Sequence, residues 1–326
     1  MKNRSLLVFL ITGFAISLSS LKPCQAKGFS PKPSYQQTAQ YTTKIANIRG
    51  NFDPADIYYP VVSDNNKNRL PVALFLQGAL VDRGDYSNFA NIVASYGFVV
   101  IVPDRRRSVY NSKSDRIVTG LLAETSQIED TLNFINSESL NPASPLYNIV
   151  DRNRLALIGH SFGGAVGLSA IDNSCLVLLC SKKDGFDRPQ ELVAGVFFGS
   201  NLRNQTSGDF IPIDNDRIPI ALIQGDLDGV ALPERAAKTY QSIQDPPKAL
   251  ITVKGANHYG ITNQDSSRDP LRPSLEQATA IETIARWSAL FLLASISQDP
   301  DAIDYVYRFG DRLDPHVTVI EEKNLR

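Results

Sequence analysis

Histidine and cysteine are both scarce, three of each in 326 residues, alongside one tryptophan and one methionine. Three cysteines are too few for a disulfide framework. Neither cysteine nor histidine recurs at metal-ligand spacing such as C-x-x-C or H-E-x-x-H, so no metal site is expected. An excess of either charge is missing too: 33 Lys and Arg stand against 34 Asp and Glu, a net charge of -1. No basic field is left to attract nucleic acid or anionic lipid, and a nucleic-acid partner is not expected. Repeats and low-complexity tracts are absent. What is present is globular: 43% hydrophobic and 21% charged residues are too apolar for disorder and too polar for a multispanning membrane protein. The length suits one large domain or two ordinary ones.

The first residues carry the three parts of a secretory signal. Lys2 and Arg4 form a basic start, residues 6–18 an apolar stretch, and Cys24-Gln25-Ala26 a small-residue end. Thr12, Gly13 and Ser17 interrupt the apolar run, which is shorter than the roughly 20 residues a bilayer span needs. Residues 1–26 are therefore expected to be a signal peptide cleaved after Ala26. The mature chain is expected to be exported, to the periplasm, a lumen or the exterior, without a stable membrane span. Lys22 and Pro23 are poor neighbours for a lipidated Cys24. In the mature chain Cys175 and Cys180 are the thiols that remain, and either a disulfide or two buried apolar cysteines fits their setting.

Residues 37–48 and 55–61 alternate as strands around the turn material Gly50-Asn51, predicting an antiparallel opening. From residue 71 the pattern changes. The segments 71–76, 98–102, 155–158, 193–198, 218–224 and 249–253 are short, mostly apolar runs of the kind buried on both faces of a sheet. Between them fall helical spacings: Tyr86, Phe89, Val93 and Tyr96 on one face, then residues 121–135, 163–171, 233–243 and 274–294. Two strands followed by repeated βα units predict one domain over residues 34–300, a mostly parallel central sheet with antiparallel N-terminal strands and helices on both faces. Residues 301–326, charged with scattered aromatics, read as a C-terminal extension packed on the surface. Arg105-Arg106-Arg107 reads as a solvated charged loop in preference to a clamp for an anionic substrate.

The sharpest local signal is Gly159-His160-Ser161-Phe162-Gly163-Gly164, directly after the apolar run 155–158 and opening a small-residue helix. A serine on a tight strand-to-helix turn needs glycines two positions before and after it, because side chains there would collide with the turn and the neighbouring backbone. The elbow lifts the hydroxyl clear of the sheet at a helix N-terminus, where the partial positive field favours developing negative charge. Ser161 is thus a candidate nucleophile.

On these residues the sequence resembles the α/β-hydrolase superfamily, over most of the mature chain. The resemblance implies the order nucleophile, acid, histidine, with the acid after a later strand and the histidine after the last. Gly225-Asp226-Leu227-Asp228-Gly229 and Gly255-Ala256-Asn257-His258-Tyr259 follow strands in those places. A serine hydroxyl needs a base to take its proton, and the base needs a carboxylate to fix its tautomer and stabilise its charge. His258 is the expected base: His160 lies on a turn that directs neighbouring side chains elsewhere, and His316 lies in the tail. The family's Gly-x-x-Asp pattern selects Asp228 as the acid, with Asp226 as the alternative. The resemblance also implies an oxyanion hole from the amides of Phe162 and Ala79, although Gln77 stands where His or Pro is usual.

Within the superfamily, residues 70–78, 94–103 and 159–164 look most like chlorophyllases, polyester hydrolases and lipase-like esterases. The implied activity is hydrolysis of a small-molecule or lipophilic carboxylic ester through an acyl-enzyme on Ser161, with no cofactor. Phospholipid acetylhydrolases share much of the pattern. A serine peptidase, or a non-catalytic binding protein on the same scaffold, are the other readings. Residues 172–192 and 199–217 are longer insertions that either wall a lipophilic pocket or extend the core.

Overall fold

A computed structural model of the chain describes residues 31–62, 69–111, 115–176, 178–180, 185–204 and 207–323. The expected signal peptide lies outside the described residues. The strands are β1 (Thr38–Ala46), β2 (Phe52–Pro60), β3 (Leu70–Leu76), β4 (Val99–Pro103), β5 (Arg106–Asn111), β6 (Arg116–Leu121), β7 (Val150–His160), β8 (Leu192–Phe198), β9 (Ile220–Gly225), β10 (Lys248–Val253) and β11 (Val317–Glu322). The main helices are α1 (Ser87–Ser95), α2 (Ser126–Leu140), α3 (Phe162–Ile171), α4 (Pro233–Ser242) and α5 (Gln277–Leu292). Nine strands form one sheet in the order β1-β2-β4-β3-β7-β8-β9-β10-β11, and β5 pairs with β6 alone. From β4 through β10 neighbouring strands run parallel, while β1, β2 and β11 pair antiparallel at the edges. This is the α/β-hydrolase architecture that the sequence predicts.

The continuous apolar runs are explained by burial on both faces. On β3, Ala73 and Phe75 join the core beneath α1 and α5, while Val72, Leu74 and Leu76 join the core beneath α2 and α3. Trp287, Phe291 and Ile284 of α5 are fully buried in the first of these cores. The stretch Gln277–Ser297 is long and apolar enough to cross a bilayer, but 67% of its most apolar 18-residue window is buried inside the protein, as suits a core helix.

Three expectations are corrected. Residues 301–326 were expected as a surface extension, yet β11 pairs with β10 from Val253↔Val317 to Lys248↔Glu322 and forms the edge of the sheet. Asp314, just before it, accepts from the indole of Trp287 (2.9 Å) and from Arg286 (2.9 Å). The residues near 121, expected to begin a helix, end the β5–β6 hairpin instead, and α2 starts at Ser126. Leu121 sits at a helical spacing from Ile128, but its backbone pairs with Arg106.

The third correction concerns the arginines. Arg105 is 1% exposed and is no part of a solvated loop. Its guanidinium donates to Asp53 (2.6 Å), Glu124, Asp130 and Ser126 (2.9 Å). Arg49 pairs with Glu124 from outside at 2.8 Å. Arg107 donates to the carbonyls of Leu122 and Ala123. Burying an arginine is tolerated because planar donors meet several carboxylates, each offsetting part of the lost hydration. The cluster ties the β1–β2 hairpin to the start of α2.

Candidate active site

The site lies at the carboxyl ends of the parallel strands, the edge where open α/β sheets gather function. Register sets its parts side by side. Leu76 pairs with Gly159, so the loop after β3 runs beside the turn after β7, and Val253 pairs with Gly225, so the loops after β9 and β10 are neighbours.

Ser161 occupies that turn with φ 53° and ψ -117°, a conformation a serine holds only where the surroundings enforce it. Its amide donates to Phe198 O at 2.9 Å, and Ser200 Oγ donates to its carbonyl at 3.0 Å. Gly163 shows why the flanking residue is glycine: a Cβ there would lie 2.0 Å from the carbonyl oxygen of Leu76. The loop after β3 can therefore approach the elbow closely.

Ser161 Oγ lies 2.8 Å from His258 Nε2, and His258 Nδ1 lies 2.8 Å from Asp228 Oδ2. A carboxylate only accepts, so Nδ1 carries the hydrogen and the neutral ring presents Nε2 to the serine. Asp228 is fully buried and accepts from four donors. The amides of Val230 (2.9 Å) and Ala231 (2.6 Å) bind Oδ1, while Gln224 Nε2 (3.1 Å) and the imidazole bind Oδ2. Gly199 has φ 58°, and a Cβ there would stand 3.0 Å from both Asp228 Oδ2 and His258 Nδ1. Asp226 is exposed and accepts from the amide of Gly255 at 2.6 Å, as a turn carboxylate does. Of the two acids, Asp228 alone meets His258.

Phe162 is the first residue of α3, so its amide is among those with no partner within the helix. Ala79 follows Gly78 in the adjacent loop, and its amide has no acceptor among the described residues. Arg268 reaches across from the loop after β10 to the carbonyls of Ala79 (2.7 Å) and Leu80 (3.2 Å). Gln77 is fully buried, with Nε2 donating to Arg105 O at 3.3 Å and Oε1 unpartnered.

Residues 26–179 match a family model described as PET hydrolase-like. The sheet order and this match together give the chain the α/β-hydrolase fold. The matched segment runs through Ser161 and α3, and its kinship is with serine ester hydrolases. Asp228 and His258 lie beyond it in sequence. No curated protein matches the chain.

The site also holds residues that sequence reasoning passed over. Asp269, fully buried, accepts the amide of His258 at 2.8 Å and the amide of Gly229 at 3.2 Å, so one carboxylate braces both the histidine and acid loops. Nothing in local sequence distinguishes it from the aspartates around it. His160 was set aside as pointing elsewhere. It points beneath His258, with ring centroids 4.8 Å apart, and burial pushes its pKa well below the ordinary histidine range. Tyr86, the helix-face aromatic, reaches the same place, and its hydroxyl is held protonated by burial.

The described residues of the insertion 172–192 pack on the core. Cys175 and Cys180 form a disulfide with Cα atoms 5.0 Å apart, and Leu179 and Phe186 are buried in the core beneath α2 and α3. Leu178 O accepts from Arg107, whose guanidinium also stands 5.9 Å from the Phe162 ring centroid. Leu179 and Phe186 thus add to the core on the side of α2 and α3.

Proposed function

We propose that the chain is an exported enzyme that hydrolyses carboxylic esters bearing an apolar acyl or alcohol group, polyester segments among them. The observation that carries this is the pair of 2.8 Å contacts linking Ser161, His258 and Asp228 at a strained elbow. His258 Nε2 takes the hydroxyl proton as Ser161 Oγ attacks the ester carbonyl carbon. The resulting oxyanion is held by the amides of Phe162 and Ala79. Collapse breaks the bond to the leaving alkoxide, which receives the proton from His258, and leaves an acyl group on Ser161. Water, deprotonated by the same histidine, then releases the acid.

Exposed apolar side chains flank these residues and support a lipophilic substrate. Leu80 follows Ala79, Val230 and Leu232 follow Asp228, and Leu271 packs beside Gly229. The Cys175–Cys180 disulfide supports passage into an oxidising compartment, in keeping with the signal-like residues 1–26.

The test is release of p-nitrophenol from short- and long-acyl esters, followed by assays on a polyester film, a triglyceride, a phospholipid and chlorophyll. Ser161→Ala is expected to fold and lose nearly all turnover, and a fluorophosphonate is expected to label Ser161 alone. Full turnover by Ser161→Ala, or an adduct elsewhere, rejects the mechanism. A mature chain that retains residues 1–26 by mass spectrometry rejects the export signal.

A further inference from the structure

Beneath the catalytic residues runs a chain of hydrogen bonds whose direction can be worked out link by link. His160 Nε2 lies 2.9 Å from the carbonyl oxygen of His258. A carbonyl only accepts, so Nε2 carries the hydrogen. The buried ring is neutral, which leaves Nδ1 as an acceptor, and the hydroxyl of Tyr86 lies 2.9 Å from it. Tyr86 therefore donates to His160, and its oxygen accepts from the amide of Gly78 at 2.9 Å. Every group in the chain has the single role open to it, and Tyr86 and His160 are fully buried.

The two ends matter most. Gly78 immediately precedes Ala79 in the loop after β3, and His258 is on the loop after β10. The middle of the chain, His160, is bonded directly to Ser161 through the backbone. A Cβ on Gly78 would stand 2.7 Å from His160 Nδ1, so glycine there lets the loop close onto the ring.

We propose that the buried relay Gly78–Tyr86–His160–His258 fixes the oxyanion loop and the catalytic histidine relative to the nucleophile, making His160 and Tyr86 positioning residues for ester hydrolysis. The inference rests on the ester-hydrolase reading for its consequence, and on the hydrogen-bond geometry for its existence. Tyr86→Phe keeps the ring and its packing against Phe75 (centroids 4.3 Å apart) while removing both hydroxyl links. The Ala79 amide and the imidazole of His258 then lose their common tether. Because a displacement of about 1 Å at a reacting centre can cost on the order of a hundredfold, kcat should fall roughly ten- to hundredfold with KM nearly unchanged. In His160→Gln the amide nitrogen can take the place of Nε2 and still donate to His258 O. It should retain more kcat than His160→Phe, which loses both links.

The experiment combines kinetics, normalised to the fraction labelled by a fluorophosphonate, with NMR of histidine labelled with nitrogen-15, where three histidines give three imidazoles. The expected result is a neutral His160 protonated on Nε2, His258 ring signals that move in Tyr86→Phe, and the kcat ranking wild type, His160→Gln, His160→Phe. An Nδ1-protonated His160, or His258 signals and kcat unmoved by Tyr86→Phe, would overturn the relay. If Tyr86→Phe does not fold, equal kcat in His160→Gln and His160→Phe overturns it instead. A wild-type protein that hydrolyses no ester rejects the functional reading, and the NMR result then decides the relay separately.

Discussion

At the scale of single residues, the partner of His258 is chosen by geometry that two neighbouring aspartates do not share. Asp228 is buried against His258, while Asp226 faces solvent and caps a turn. Asp228→Asn leaves the shape but removes the charge and favours the wrong imidazole tautomer, so kcat should fall on the order of 10⁴-fold, while Asp226→Asn stays within a few fold. Steady-state kinetics on a p-nitrophenyl ester checks the ranking, and the reverse order moves the acid to Asp226. His160 carries a second prediction. Burial lowers its folded-state pKa, so below the unfolded value of about 6.5 the unfolded chain binds a proton that the folded chain refuses. The contribution to stability is intact above that pH and is lost as pH falls through it, at about 1.4 kcal/mol per pH unit. Urea midpoints between pH 7 and pH 5 should therefore drop more steeply for wild type than for His160→Gln. Parallel pH dependences would show that His160 takes up a proton in the folded state.

Among elements, the first hairpin and the segment entering α2 meet through Arg105, not through apolar packing alone. Asp53 comes from β2, Glu124 precedes α2, and Asp130 lies within it and also accepts the amide of Ile48 at 2.9 Å. Removing the arginine strands buried carboxylates, and breaking a buried pair this way costs about 3–5 kcal/mol. Arg105→Met should lower the unfolding free energy by that amount, and the triple replacement of Arg105, Asp53 and Asp130 by apolar residues should recover much of it. A loss below about 1 kcal/mol in Arg105→Met, measured by chemical denaturation, would show that water or rearrangement relieves the stranded charges.

For the whole molecule, the carboxyl-terminal residues close the sheet. β11 covers the edge of β10, the backbone amide of Lys254 donates to His316 O at 2.8 Å, and Asp314 holds Trp287 and Arg286. β10 leads directly into the loop of His258, so its neighbour bears on the site. Truncation after Leu313 exposes that edge, removes the acceptor of the buried Trp287 indole and leaves a row of unpaired backbone groups. The truncated chain is expected to aggregate or to melt well below the full chain in a thermal scan; an unchanged melting temperature and turnover would make the segment dispensable.

The parallel strands and the elbow were legible in the sequence because both have strictly local causes. A strand buried on both faces must be apolar throughout, and a serine on a sharp turn must be flanked by glycine, whatever surrounds them. The order serine, acid, histidine was legible on the superfamily pattern, since each residue follows its own strand. The β5–β6 hairpin, β11 and the arginine cluster were not, because their residues are polar or mixed and become structural only when distant partners meet them. Asp53 and Asp130 bury Arg105 from far along the chain, and β11 is a strand because the edge of β10 is open to it. Likewise the sequence by itself marked Ser161 and His258, through turn chemistry and the small number of histidines. Only the tertiary structure decided that Asp228 and not Asp226 meets the imidazole, and that His160, Tyr86 and Asp269 hold it, because hydrogen bonds fix direction and distance between loops that sequence spacing leaves free.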